Sequence, residues 1–229
     1  MDYERILVFG AHPDDEFSMA GTMAKLADQG VEVYVATMTN GNEGYPRPEW
    51  RDTIVEMRRG EAAEADKVLG VTRRWILDVE DMGLTADKAT VKECIRIVRE
   101  VRPHAVFTHG PHDRHRDHLA THVVAVQATW HAGEPVAAEL GAPWRTPHVY
   151  YYKGCNLPLP TVVFDTTGYA HKGAEARATQ VSQHTLFRRT KDDFLAEAER
   201  LQRERPAAAE RFWIVDTNML PDFLPLKHC

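Results

Sequence analysis

Three Lewis-basic side chains, His12, Asp14 and Asp15, fall within four residues of the run Gly10-Ala11-His12-Pro13-Asp14-Asp15-Glu16. A second run, His109-Gly110-Pro111-His112-Asp113-Arg114-His115-Arg116-Asp117-His118, mixes imidazoles and carboxylates again. Such donors suit a divalent cation. A catalytic zinc site holds three protein ligands and keeps its fourth place for water. One histidine and one aspartate from the first run, with one histidine from the second, would supply that set. Bound water then has a pKa of about 7, a free neighbouring carboxylate can take its proton, and a further imidazole can stabilise an oxyanion.

The alternative is local capping, since Asp favours helix starts. One cap suffices for one helix, so the excess of donors points to a metal. Neighbours on a helix point about 100° apart, and spacing therefore leaves open which of Asp14 and Asp15 binds the ion. His115 and His118, three residues apart at a helix start, share a face, and Asp117 lies close enough to orient an imidazole. His109, His112 and His122 read more readily as buried or surface histidines than as ligands.

Both runs lie where a strand hands over to a helix. Ile6 to Phe9 is a short buried strand, and Pro13 makes His12 extended while setting Asp14 and Asp15 in a first helical turn. Helical spacing over Phe17 to Gln29 stops at Gly30, and Val31 to Thr37 is a second strand. A loop from Asn40 to Pro48 leads to a helix over Trp50 to Leu69, stopped by Gly70. Arg74 to Leu77 is extended, Thr90 to Arg99 helical, His104 to Thr108 a strand, and Asp117 to Trp130 a helix. Past residue 132, prolines break the chain into extended pieces, Val149 to Lys153 and Thr161 to Asp165. Helices over His171 to Gln183 and Lys191 to Arg203 follow. Alternating strands and helices predict a single α/β domain over residues 1–229, a Rossmann-like, mostly parallel sheet with helices on both faces. The two runs meet if their strands lie side by side. No G-x-G-x-x-G is present, and paired carboxylates at the first helix start are hostile to phosphate.

The 229 residues carry 28 basic and 34 acidic side chains, a formal charge of −6, which argues against nucleic acid as the main partner. A small or neutral ligand suits the chain better. Cys94, Cys155 and Cys229 show no C-x-x-C spacing, which fits a reducing compartment. No apolar run approaches the length of a membrane helix, and the start of the chain is too acidic for a secretory signal. The expectation is a cytoplasmic protein without a membrane partner.

Ala11-His12-Pro13-Asp14-Asp15-Glu16, with Thr39-Asn40-Gly41, Arg58-x-x-Glu61, Leu69-Gly70, His115-x-Asp117-His118, Lys172 and Ser182-Gln183, resembles the LmbE-like (PIG-L-type) zinc de-N-acetylases. The resemblance covers most of the chain and rests chiefly on the first motif and the histidine motif. It implies that His12, Asp15 and His118 hold Zn2+, with Fe2+ or Co2+ as other candidates, and that Asp14 is the general base. It further implies that His115, oriented by Asp117, stabilises the oxyanion or acts as an acid, and that Arg58 contacts substrate or released acetate. Arg116 stands where members often carry proline. The implied reaction removes an N-acetyl group from an N-acetylglucosamine-type sugar or its conjugate. Amidase action on a larger thiol-sugar conjugate is the alternative, and a non-catalytic metal-binding module the alternative of another class. Family analogy also implies a homo-oligomer, a trimer or hexamer, with Trp144 and Tyr150 to Tyr152 as a candidate interface.

Overall fold

A computed structural model describes residues 3–215, so the two ends of the expected 1–229 domain, and Cys229, lie outside the described residues. The strands are β1 (Arg5–Gly10), β2 (Glu32–Thr39), β3 (Val71–Val79), β4 (Ala105–His109), β5 (His148–Lys153), β6 (Thr161–Asp165) and β7 (Ala209–Val215). The helices are α1 (Ala20–Asp28), α2 (Ile54–Leu69), α3 (Lys88–Val101), α4 (Arg116–Ala132), α5 (Lys172–Thr179), α6 (His184–Phe187) and α7 (Lys191–Glu204). All strands join one sheet in the order β3-β2-β1-β4-β5-β7-β6. β1 to β5 run parallel, and β7 lies antiparallel between β5 and β6. The expected α/β architecture with a mostly parallel sheet is what the chain forms.

Ile6, Leu7, Val8 and Phe9 are all fully buried, as a strand covered on both faces must be. Their alternation divides two cores. Leu7 and Phe9 pack with Val98 of α3 and Val124 of α4, whereas Ile6 and Val8 pack with Met23 of α1, Leu69 of α2 and Ala176 of α5. The chain builds outward from β1 through β2 to β3, then returns to the other side of β1 with β4, where Ile6, Leu7 and Val8 pair with Ala105, Val106 and Phe107. This reversal of strand order is where open α/β sheets hold ligands, and both chemistry-bearing runs leave the sheet there.

Three expectations need adjustment. The helix read over Phe17 to Gln29 is a tight 3-10 turn, Asp15–Met19, followed by α1, because the Asp15 side chain is drawn back to the His12 backbone rather than left at a free helix start. β7 was not legible, since it is joined to the sheet by antiparallel pairs remote in sequence. Tyr150, Tyr151 and Tyr152 are core residues of β5 and so serve the fold rather than an exposed interface, while Trp144 is half-buried and its Nε1 donates to Pro103 O at 2.8 Å. Gly70 does stop α2, at φ 71°, and a Cβ there would stand 2.5 Å from that of Ala27. Cys94 and Cys155 are buried and free. Among the described residues no helix is long and apolar enough to cross a membrane.

The segment joining α4 to β5 is organised by one buried cation. Arg99 of α3, 4% exposed, donates to the carbonyls of Ala137, Glu134 and Val136 at 2.8 Å, of Gly141 at 3.1 Å, of Ala132 at 3.2 Å and of His131 at 3.3 Å. Arg96, on the same helix but 36% exposed, pairs with Glu93 and Glu100. Arg99→Met should destabilise by about 3 kcal/mol or more, because buried carbonyls lose their donor. Arg96→Met should cost less than about 1 kcal/mol. Denaturant unfolding of the two variants checks the contrast.

Candidate metal centre

The first run leaves β1 at Gly10 and turns at once: Asp14 N–H and Asp15 N–H donate to His12 O at 2.8 and 3.3 Å. Asp15 Oδ2 in turn accepts the His12 N–H at 2.8 Å. Neither aspartate serves as an ordinary cap. Asp14 makes no side-chain cap bond, and its Oδ2 lies 3.3 Å from the Arg58 guanidinium. Glu16 anchors the turn from below: it is fully buried and accepts from Arg74 of β3 at 2.5 Å, and Arg74 also binds Asp66 of α2. Burial pushes the Glu16 carboxyl up, against the pull of Arg74.

β4 and α4 bring the second run to the first. His118 Nε2 lies 3.3 Å from His12 Nδ1 and 3.3 Å from Asp15 Oδ1, and His12 Nδ1 lies 3.4 Å from Asp15 Oδ2. Ligands about 2.0–2.1 Å from a tetrahedral zinc ion stand about 3.3–3.4 Å apart. The edge between His12 Nδ1 and His118 Nε2 has that length, and each of the two imidazoles faces a different oxygen of the Asp15 carboxylate at a similar distance. Each imidazole is also backed by a carboxylate. His118 Nδ1 donates to Asp113 Oδ2 at 2.8 Å, and His12 Nε2 lies 3.4 Å from Asp117 Oδ2. A carboxylate behind a histidine fixes its tautomer and raises its donor strength toward a metal. Burial works against a charged His12, but the hydrogen bond and charge of Asp15, with Asp81 and Asp14, raise its pKa overall. Burial also opposes ionisation of Asp15, yet the surrounding His109, His118 and His12 hold its carboxyl well below the usual range.

Asp117 was expected to orient His115. Its Oδ2 is instead closer to His12 Nε2 than to His115 Nδ1, 3.4 against 3.9 Å, and accepts the Met82 N–H at 2.6 Å. Met82 holds a left-handed φ of 61° to make that bond, a conformation that costs a non-glycine residue free energy and clusters at functional sites. The contact with His115 runs the other way: His115 Nδ1 accepts the Asp117 N–H at 3.3 Å as the cap of α4. That bond leaves the imidazole proton on Nε2. Burial, then His12 and His118, lower the His115 pKa, so the ring is neutral at pH 7.

Sequence reasoning set His109 aside and passed over three further neighbours. His109, fully buried at the end of β4, places Nε2 3.2 Å from Asp15 Oδ2 and 2.8 Å from the Tyr152 hydroxyl; burial pushes its pKa down to about 4. Its position at a strand end, matching that of the first run, was the one signal available. Asp113, Asp81 and Lys153 complete the set. Asp81 Oδ1 and Oδ2 accept the backbone N–H groups of Gly41 and Glu43. Three overlapping sets of ligand atoms fall within 4.8 Å of one another: Asp15, His109 and His118; His12, His115 and His118; and His12, Asp81 and Asp117. His122 stays structural, its Nδ1 bonded to His109 O at 3.2 Å and its pKa pushed by burial to about 4.

A cavity of about 390 Å³ opens over His12, Asp14, Arg58, Asp81, Met82 and His115, with Gln183 and Leu186 on its wall. A hollow of about 450 Å³ beside α3 and α4 holds none of these residues. Arg58, 3% exposed, is cradled by glycines: a Cβ at Gly41, φ 76°, would stand 2.8 Å from its Cδ, and one at Gly44 2.7 Å from its NH1. Gln183, on that wall, and two further motif residues tie the wall to α2. Glu61 of α2 accepts the Ser182 N–H at 2.6 Å and its hydroxyl at 2.7 Å, and Gln183 Nε2 donates to Gly44 O at 2.8 Å.

The sequence profile of the GlcNAc-PI de-N-acetylases matches residues 7–129, which contain both runs. A 1D-myo-inositol 2-acetamido-2-deoxy-alpha-D-glucopyranoside deacetylase of Thermomonospora curvata is 37% identical over 64% of this chain and 59% of its own. A mycothiol S-conjugate amidase of Streptomyces coelicolor is 33% identical over 69% of this chain and 62% of its own. The chain thus spans about six-tenths of the length of these curated relatives. The N,N'-diacetylchitobiose deacetylase of Pyrococcus horikoshii superposes with a TM-score of 0.80 over 96% of this chain and 86% of that one; at 24% identity this shows a shared fold. With more than half of its length matched, and both motifs inside the match, the chain belongs to the GlcNAc-PI de-N-acetylase (PIG-L) family.

Proposed function

We propose that this protein is a divalent-metal N-deacetylase that hydrolyses the acetamide of an N-acetylglucosamine-type amino sugar or its conjugate. The observation that carries the reading is the convergence of His12 Nδ1 and His118 Nε2, 3.3 Å apart, on the two oxygens of Asp15 at 3.3–3.4 Å, with the Asp14 carboxylate on the wall of an open cavity nearby. His12, Asp15 and His118 would hold the ion. Bound there, a divalent cation supplies Lewis-acid polarisation of the acetamide carbonyl and brings the pKa of a water to about 7.

The protein's own groups do the rest. Asp14 takes a proton from the attacking water, and its ion pair with Arg58 keeps the carboxylate turned toward the cavity. His115, neutral and protonated on Nε2, donates to the carbonyl oxygen as negative charge develops on it. Water adds to the carbonyl carbon, the C–N bond breaks, the amine leaves with a proton, and acetate remains for Arg58 to bind. Asp117 and Asp113 hold the two ligating imidazoles in the tautomers that ligation needs. The ligand count supports an enzyme over a structural metal module: closed structural zinc sites are usually cysteine-rich, and Cys94 and Cys155 pack in the core. The same reading takes zinc as the ion, with Fe2+ or Co2+ as substitutes, a cytoplasmic location and a homo-oligomer. Elemental analysis and the solution mass of the purified protein test the ion and the assembly.

Chelation should abolish acetate release from N-acetylated sugars and added zinc should restore it; activity that survives complete removal of metal refutes the proposal. Asp14→Asn should keep the metal while kcat falls about 10²–10⁴-fold, as for loss of a general base. Asp113→Asn should weaken metal affinity about 10–100-fold, as for loss of a carboxylate behind a ligating histidine. Equilibrium binding with a competing chelator reads that change without reference to turnover.

A further inference from the structure

The cation nearest the metal centre is one that no motif announces. Lys153 ends β5 and stands opposite His109 in the β4–β5 pairing, which carries it to the end of the sheet where the first run turns. Its Nζ donates to Asp15 Oδ1 at 2.6 Å. The lysine side chain is 28% exposed, the carboxylate 6%. Lys153 does not line the cavity over His12 and Asp14. It addresses a ligand of the metal rather than a substrate.

We propose that Lys153 is a positioning residue that sets how tightly the centre holds its ion, by drawing negative charge away from Asp15. This rests on the reading of Asp15 as a metal ligand. Two effects oppose each other. The ammonium helps to orient the carboxylate, which favours ion binding, and it places a positive charge beside a divalent cation, which disfavours it. Orientation is secured twice over without Lys153: the His12 N–H holds Oδ2 at 2.8 Å, and His109 Nε2 stands 3.2 Å from the same oxygen. Its charge has no substitute at Asp15. Among the described residues no other lysine or arginine reaches Asp15, and Arg58 is engaged with Asp14. Charge therefore outweighs orientation, because Coulomb interactions gain strength in a site shielded from water. The lysine makes Asp15 a weaker donor and leaves the ion easier to release and exchange.

The test is equilibrium Zn2+ binding to the metal-stripped full chain, by competition with a chromophoric chelator, for wild type, Lys153→Met and Lys153→Arg. Lys153→Met should bind Zn2+ at least about tenfold more tightly, the scale of effects from groups that contact metal ligands. Lys153→Arg, which keeps the charge, should stay near wild type. Misfolding or lost orientation cannot tighten binding, so a gain in the methionine variant that the arginine variant lacks identifies the charge as the cause. Lys153→Met binding equal to or weaker than wild type overturns the proposal. Asp15→Ala separates this failure from that of its premise: it should abolish tight Zn2+ binding, and wild-type affinity in that variant would overturn the ligand assignment itself.

Discussion

Burying an ionised carboxylate demands partners for both of its oxygens, and Asp15 is where this protein meets that demand. A naked carboxylate out of water would protonate or stay exposed. Asp15 is 6% exposed and ionised because its own turn offers the His12 N–H, β4 offers His109, α4 offers His118 and β5 offers Lys153. Three adjacent parallel strands thus converge on one side chain. The parallel sheet is the means: its strands all end on the same side, so loops far apart in sequence arrive at one place. The tight turn at residues 11–15, buried Glu16 and the left-handed Met82 follow from holding that convergence in register.

Much of this was legible in the chain itself. The alternation of buried β-branched runs with helical stretches located β1, β2 and β4, and the placement of both donor-rich runs at strand ends located the centre. Gly70 marked the end of α2 because a left-handed residue was required there. His12, Asp15 and His118 do come together, and so do Asp14 and Arg58. Residue types at strand ends are enough for that inference, since the sheet supplies the geometry.

What stayed hidden depends on orientation and on distant pairing. Asp117 backs His12 rather than His115 because α4 starts one residue after His115, whose Nδ1 is used for capping. Spacing along one helix shows that two groups are near, not which way each points. Asp113 finds its partners, His115 and His118, within its own run, whereas only the juxtaposition of β1, β4 and β5 gives Lys153 its partner Asp15. The tyrosines of β5, which family analogy offered as part of an interface, are interior, with Tyr152 reaching His109.

The order of strands at the far end of the sheet has a consequence for how the chain is made. The backbone of β6 pairs with β7, which arrives much later in sequence and lies between β5 and β6. During vectorial synthesis the half that carries both donor-rich runs can pair its strands as soon as β5 has emerged, whereas β6 must wait for β7 before its backbone is paired. A nascent chain halted before Ala209 therefore forfeits the ladder hydrogen bonds of two strands at once, while both donor-rich runs already sit on paired parallel strands.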